Sequence, residues 1–223
     1  VIKTIFLDVD DTVFDFKAGQ EAAFYAAFNE LNYFADEKIY DIYDKTNEYY
    51  WKKFELGGIT KEKLVYERFA ALFEKIGMKG DEIATEHSYQ RLLAEQAVWY
   101  DGAEDGVKYL SGRYDIFLTT NGYGETQRSR AAKRGLDKLV KGLFISEDVG
   151  FPKPRKEYFD YCFEKSGADK NSTLVMGDSL SSDMKGGINA GTKTMWCNFR
   201  RAPIQSVPID FIVYSWKEIC GIL

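Results

Sequence analysis

Three carboxylates fall within four residues at Asp8-Val9-Asp10-Asp11, and Thr12 follows directly. Charges held that close oppose one another: at ~5 Å and an effective dielectric of ~20, each pair repels by about 3 kcal/mol. Burial together would also raise their pKa values. A cation offsets both effects, and Mg²⁺ is the oxygen-seeking candidate. Taken alone, the motif serves equally well as a helix cap and turn. Three further clusters tip that balance. Leu118-Thr119-Thr120-Asn121-Gly122 offers a hydroxyl, an amide and a flexible backbone to a phosphate oxygen. Phe151-Pro152-Lys153-Pro154 holds one lysine between two prolines that stiffen its loop. Gly177-Asp178-Ser179 brings a second acid, and Asp183 follows five residues after Asp178. Acids, hydroxyl, lysine and acids in this order suit the handling of a phosphate group beside a hard cation.

The elements that must position these residues are legible around them. Apolar runs at 2–7, 116–118 and 174–176 stop at Asp8, Thr119 and Gly177, and further runs lie at 142–145, 194–196 and 211–213. Continuous apolar strands of this kind suit a parallel sheet buried on both faces. Helical stretches at 101–111, 125–134, 155–165 and 181–190 alternate with them, which predicts an open α/β fold. In such a sheet, ligands bind beyond the carboxyl ends of the strands, where the clusters would meet.

Residues 17–99 break the alternation. Phe24, Phe28 and Leu31 recur at helical spacing, as do Tyr43, Asn47 and Tyr50, then Leu64, Phe69, Leu72 and Ile76, with a fourth helix expected over 87–98. Gly57-Gly58 and the segment 77–80 read as breaks between them. The expected organisation is a core of residues 1–16 and 100–223 carrying a helical insert, 17–99, whose aromatic stripes form its own interior.

Composition agrees. The 223 residues allow one full domain and a smaller companion, and 45% hydrophobic with 29% charged residues is a globular balance. Thirty basic against 35 acidic residues leave a net charge of −5, which argues against a nucleic-acid polymer or an anionic membrane as partner. No apolar run approaches the ~20 residues of a membrane helix. Cys162, Cys197 and Cys220 are far apart and odd in number, which disfavours a disulfide framework or zinc site and fits a reducing cytoplasm. A histidine-dependent triad would rest on His87 alone, and its polar helical surroundings read as solvated or pocket-edge.

The motifs Asp8-x-Asp10-x-Thr12, Thr120, Lys153 and Gly177-Asp178-x4-Asp183 resemble, in order, the four motifs of the haloacid dehalogenase superfamily of phosphohydrolases. Residues 8–16, 144–159 and 177–191, with Lys185-Gly186-Gly187, resemble the bacterial pyrimidine 5′-nucleotidases, as do 54–60 and Arg68-Phe69. The resemblance implies a Rossmann-like parallel-sheet core with an inserted helical cap, and Mg²⁺-dependent hydrolysis through an aspartyl-phosphate. Asp8 would be the nucleophile, and Asp10 the acid and then the base. The Asp8 carboxylate, the Asp10 carbonyl and Asp178 would hold Mg²⁺. Thr120, the Asn121 backbone and Lys153 would hold phosphoryl oxygens, and Asp183 would orient Lys153 or a metal-bound water. The cap would read the leaving group, with Phe14, Phe16, Trp51, Phe54 and Arg68 as candidate substrate residues. The expected substrate is a pyrimidine nucleoside monophosphate, with a small sugar phosphate as the alternative. Dehalogenation is disfavoured because Asp10 and the metal acids have no use in it. A receiver-type phosphoacceptor domain is about half this length and lacks the insert. A binding protein that merely keeps the fold is disfavoured by the presence of both Asp8 and Asp10.

Overall fold

A computed structural model describes all 223 residues, Val1–Leu223. In chain order its elements are β1 (Thr4–Asp8), α1 (Phe16–Glu30), α2 (Glu37–Glu55), α3 (Lys61–Ile76), α4 (Glu82–Leu93), α5 (Ala103–Ser111), β2 (Asp115–Thr120), α6 (Gly124–Lys133), β3 (Gly142–Ile145), α7 (Ser146–Val149), α8 (Lys156–Ser166), β4 (Thr173–Gly177), α9 (Lys185–Ala190), β5 (Lys193–Cys197), β6 (Phe211–Val213) and α10 (Trp216–Ile222). They form two compact units, one of Val1–Phe16 with Ala97–Leu223 and one of Lys17–Gln96.

The first unit is built on a six-stranded sheet in the order β3-β2-β1-β4-β5-β6, every neighbouring pair parallel. This is a Rossmann-like α/β core. Its strands are apolar on both faces because both are covered. Ile5 and Leu7 face a cluster with Val107, Leu110, Trp216 and Ile219 of α5 and α10. Phe6, between them, faces Tyr158, Phe159, Cys162 and Phe163 of α8. The chain leaves β1 towards β2 and β3, then returns to β4 on the other side of β1. The strand order therefore reverses at β1, which opens a crevice at the carboxyl ends of β1 and β4. The register sets those ends level: Asp8 pairs with Thr119, and Leu7 with Met176 just before Gly177.

The second unit is wholly helical. Phe24, Tyr43 and Phe69 stack at centroid separations of 4.6 and 5.1 Å, and Tyr89 and Phe28 close round them. Gly57 (φ 77°) and Gly77 (φ 64°) take the left-handed backbone that ends α2 and α3, a conformation open to glycine without a Cβ penalty. Two boundaries differ from expectation. The fourth helix runs over Glu82–Leu93 rather than 87–98, because the Asp81 carboxylate accepts from the Ile83 and Ala84 N–H groups and starts it earlier. The chain rejoins the core at Ala97 rather than residue 100: Asp15 N–H donates to the Val98 carbonyl, and the Trp99 ring packs at 5.0 Å on Phe14.

Candidate active site

Asp8 is the last residue of β1 and is 6% exposed, as the central strand of a covered sheet dictates. One of its oxygens accepts from the Thr12 hydroxyl at 3.0 Å, and the other from Lys153 Nζ at 2.7 Å. Lys153 also donates to Asp183 Oδ1 at 2.7 Å and to the Thr119 carbonyl at 2.9 Å, so its three protons are used. The loop bearing it is tied to the β2 end: the Asn121 amide donates to the Lys153 carbonyl at 3.0 Å and accepts from its N–H at 2.9 Å. Thr120, at the same strand end, accepts from the Gly122 N–H at 2.9 Å, and its own N–H donates to the Tyr158 hydroxyl. Gly177 is needed where it stands, since a Cβ there would lie 2.3 Å from Asp183 Oδ2.

Charge is unevenly matched in this crevice. Burial pushes the Asp8 carboxyl up to about 8, against the downward pull of Lys153, and Asp183 adds to the rise. Burial, then Asp8, Asp11 and Asp183, raise Asp178 well above the ordinary carboxylate range. Flanked by Asp183 and Asp8, the Lys153 ammonium is held more firmly protonated than usual in spite of its burial. One lysine thus faces three acids. Carboxylate oxygens of Asp8, Asp178 and Asp183 lie within 4.8 Å of one another. An all-oxygen donor set with surplus negative charge matches what a hard divalent cation takes, so these residues fit Mg²⁺. A cavity of about 110 Å³ opens beside Asp178, with Asp11 and Arg200 in its wall. Arg200 donates to Asp11 at 2.5 Å, and Trp196 Nε1 holds the Asp178 carbonyl at 2.7 Å.

Asp8, Lys153, Asp178, Asp183, Thr120 and Asn121, chosen from the sequence, therefore converge at neighbouring strand ends. The Asp10 carboxylate stands apart from the acidic trio: it is bound by Gln127 and Arg130 of α6. Two candidate substrate residues are corrected. Phe14 is wholly buried in the core between Trp99 and Arg130, so its ring has no face left for a base. Arg68 is buried inside the helical unit, where it donates to Glu86 at 2.5 Å and to Asn47 at 2.6 Å. Phe54 packs on Leu64 and Val65 and is 8% exposed, while Trp51 and Phe16 keep part of their surfaces. His87 is exposed, as its polar helix implied.

Gln127, Arg130, Tyr158 and Arg200 escaped the sequence reading. For the first two a signal existed. The helix Gly-Glu-Thr-Gln-Arg-Ser-Arg-Ala-Ala-Lys has no apolar stripe, so its inner face had to be polar, and Thr126, Gln127 and Arg130 are indeed buried. Arg200 meets Asp11 across 189 positions, and nothing local announces it.

A parallel sheet whose strand ends gather a buried aspartate, a lysine and a second acid pair defines an enzyme of the hydrolase class. The family model for haloacid dehalogenase-like hydrolases matches residues 2–191. The chain belongs to that family. It is 39% identical over 218 residues to the HAD-hydrolase YfnB of Bacillus subtilis, covering 97% of this chain and 92% of that protein. The YfnB crystal structure, bound to magnesium, superposes with a TM-score of 0.95 over 100% of this chain and 98% of its own. Two relatives carry an activity in their names. The pyrimidine 5′-nucleotidase PynA of Streptococcus pneumoniae is 34% identical (99% and 94% covered), and the pyrimidine 5′-nucleotidase YjjG of Escherichia coli 33% (96% and 95%).

Proposed function

We propose that this hydrolase cleaves pyrimidine nucleoside 5′-monophosphates through a phosphoryl group carried on Asp8. The enzyme is a phosphoric monoester hydrolase. The observation that carries the reading is the Asp8–Lys153–Asp183 array: an acceptor carboxylate whose lysine partner is itself fixed by a second acid and a backbone carbonyl.

Asp8 attacks phosphorus, and the bond to the leaving oxygen breaks as Asp10 gives that oxygen a proton. Asp10 then takes a proton from water as the water opens the aspartyl-phosphate. Thr12 fixes one Asp8 oxygen by its 3.0 Å hydrogen bond and so limits rotation of the nucleophile. Thr120 holds a phosphoryl oxygen, Lys153 holds another with the proton it now gives to Asp8, and Asn121 keeps the Lys153 loop in register. Asp8, Asp178 and the Asp10 carbonyl would hold Mg²⁺. When bound, that ion supplies charge that offsets repulsion between the nucleophile and a phosphate dianion. Phe16 and Trp51, which are partly exposed, and Phe54 are the candidate substrate residues that remain from the sequence reading.

The test is phosphate release with Mg²⁺ over a panel of nucleoside 5′-monophosphates and sugar phosphates. Higher kcat/KM on uridine and thymidine monophosphates than on purine nucleotides is the expected result. Sugar phosphates turned over faster than every pyrimidine nucleotide would leave a phosphatase of small metabolites instead.

A further inference from the structure

Asp10 is held in a way the reaction so far does not explain. Both of its oxygens are occupied by side chains from one helix: Gln127 Nε2 donates to Oδ2 at 2.6 Å, and Arg130 Nη1 to Oδ1 at 2.5 Å. The donors are three residues apart on α6, so they leave the same face and reach one carboxylate together. Neither is an incidental surface contact. Arg130 is fully buried and Gln127 is 3% exposed, and the Arg130 guanidinium lies 5.1 Å from the Phe14 ring and 5.9 Å from that of Phe16. The amide pays for its choice, since Gln127 Oε1 is buried with no hydrogen-bond partner. A neighbouring position is shaped for this contact as well: a Cβ on Gly122 would lie 2.1 Å from Gln127 Nε2.

We propose that Gln127 and Arg130 are positioning residues that orient the Asp10 side chain for its work as the base. The proposal rests on the acid–base role given to Asp10 above. Two donors aimed at two oxygens fix the plane of the carboxyl group, which sets the direction from which a proton can be received. The step they serve is the second one. Water oxygen forms a bond to phosphorus, the bond from phosphorus to the Asp8 oxygen breaks with its electron pair returning to Asp8, and the water proton passes to Asp10. Inorganic phosphate leaves. If the pair is removed, Asp8 should still be phosphorylated by an ester whose leaving group needs no proton, but the phosphoryl group should leave slowly.

The experiment compares Gln127→Leu, Arg130→Met, Arg130→Lys and Asp10→Asn with the unaltered enzyme, each checked for folding by circular dichroism. The substrates are p-nitrophenyl phosphate, whose leaving group needs no acid, and uridine 5′-monophosphate, whose alkoxide does. The readouts are kcat, KM and the fraction of protein carrying an acid-stable phosphoryl group when the steady state is quenched. General acid–base groups contribute roughly 100- to 10,000-fold. On that scale, losing one positioning donor should lower kcat on p-nitrophenyl phosphate about tenfold or more, with KM falling alongside it so that kcat/KM changes little, and with phosphoprotein accumulating. The nucleotide passes through the same aspartyl-phosphate, so its kcat should fall by no more than this, and Arg130→Lys should recover part of the loss. Gln127→Leu, close in shape, carries the test if Arg130→Met does not fold. Losses on both substrates without phosphoprotein in folded Gln127→Leu, while Asp10→Asn does accumulate it, would overturn the positioning role alone. Absence of both signatures in Asp10→Asn would instead remove the acid–base reading, and this inference with it.

Discussion

At the residue scale the site is a problem of charge, and Asp8 is where it is sharpest. Its carboxylate must be ionised to attack phosphorus, yet burial pushes it up to about 8 against the pull of Lys153. Asp8→Asn keeps the shape and removes the attacking charge. Turnover should fall to background while circular dichroism is unchanged. A variant keeping more than about a tenth of the activity, a barrier change of at most ~1.4 kcal/mol, would rule out attack by Asp8. The same substitution relieves repulsion from Asp178 and Asp183, so Tm measured in chelator should be equal to or above that of the unaltered enzyme. These residues were legible because each closes an apolar run or sits between prolines, and parallel strands bring their ends together. Arg68 was not. An arginine beside a phenylalanine has no local mark that separates a substrate contact from a buried ion pair; only Glu86 and Asn47, 18 and 21 positions away, decide it.

At the scale of elements, two contacts show packing overriding local preference. Gly106 lies within α5, where alanine would gain about 1 kcal/mol in helix propensity. A Cβ there, however, would stand 2.3 Å from the Trp216 ring, which a rigid indole cannot easily yield, and overpacking costs about 1–3 kcal/mol. Gly106→Ala should therefore lower stability in chemical denaturation, and a stabilised variant would show that α10 is loosely seated. In the helical unit, Arg68 and Glu86 pair with side chains only 1% and 3% exposed. Removing one partner from such a pair costs about 3–5 kcal/mol, whereas replacing both with apolar groups is often neutral or better. Arg68→Met alone should be strongly destabilising, and Arg68→Met with Glu86→Leu should recover most of the loss. A loss below about 1 kcal/mol for the single change would mean the pair is not buried in solution. All six strands were visible as apolar runs, to within two residues at their ends. The start of α4 was missed because a cap, Asp81, sets it rather than the apolar period. The stretch expected as a helix over 181–190 is helical throughout, but it opens as a π-helix, Leu180–Met184, that runs directly into α9; the Ser179 hydroxyl accepting from the Ser182 N–H marks its entry.

For the whole molecule, no helix is long and apolar enough to cross a membrane, and a net charge of −5 sets the chain against polyanions. If the acidic crevice holds Mg²⁺ as proposed, stability should depend on the cation. With Mg²⁺ at ~100 times its Kd, mass action adds about 2.7 kcal/mol. For a chain of this size that raises Tm by roughly 5–10 °C. The rise should vanish in Asp178→Ala, and chelation should abolish activity. Full activity in chelator, with metal content measured as nil, would contradict the metal assignment. The central claim is that phosphate passes through Asp8, and one measurement addresses it directly. The enzyme is mixed with p-nitrophenyl phosphate, quenched in acid within a single turnover, digested, and the peptide containing Asp8 weighed by mass spectrometry. The added mass of one phosphoryl group on Asp8, appearing as nitrophenol is released and decaying as phosphate is freed, is the predicted result. Nitrophenol and phosphate released together, with Asp8 unmodified at every quench time, would contradict it.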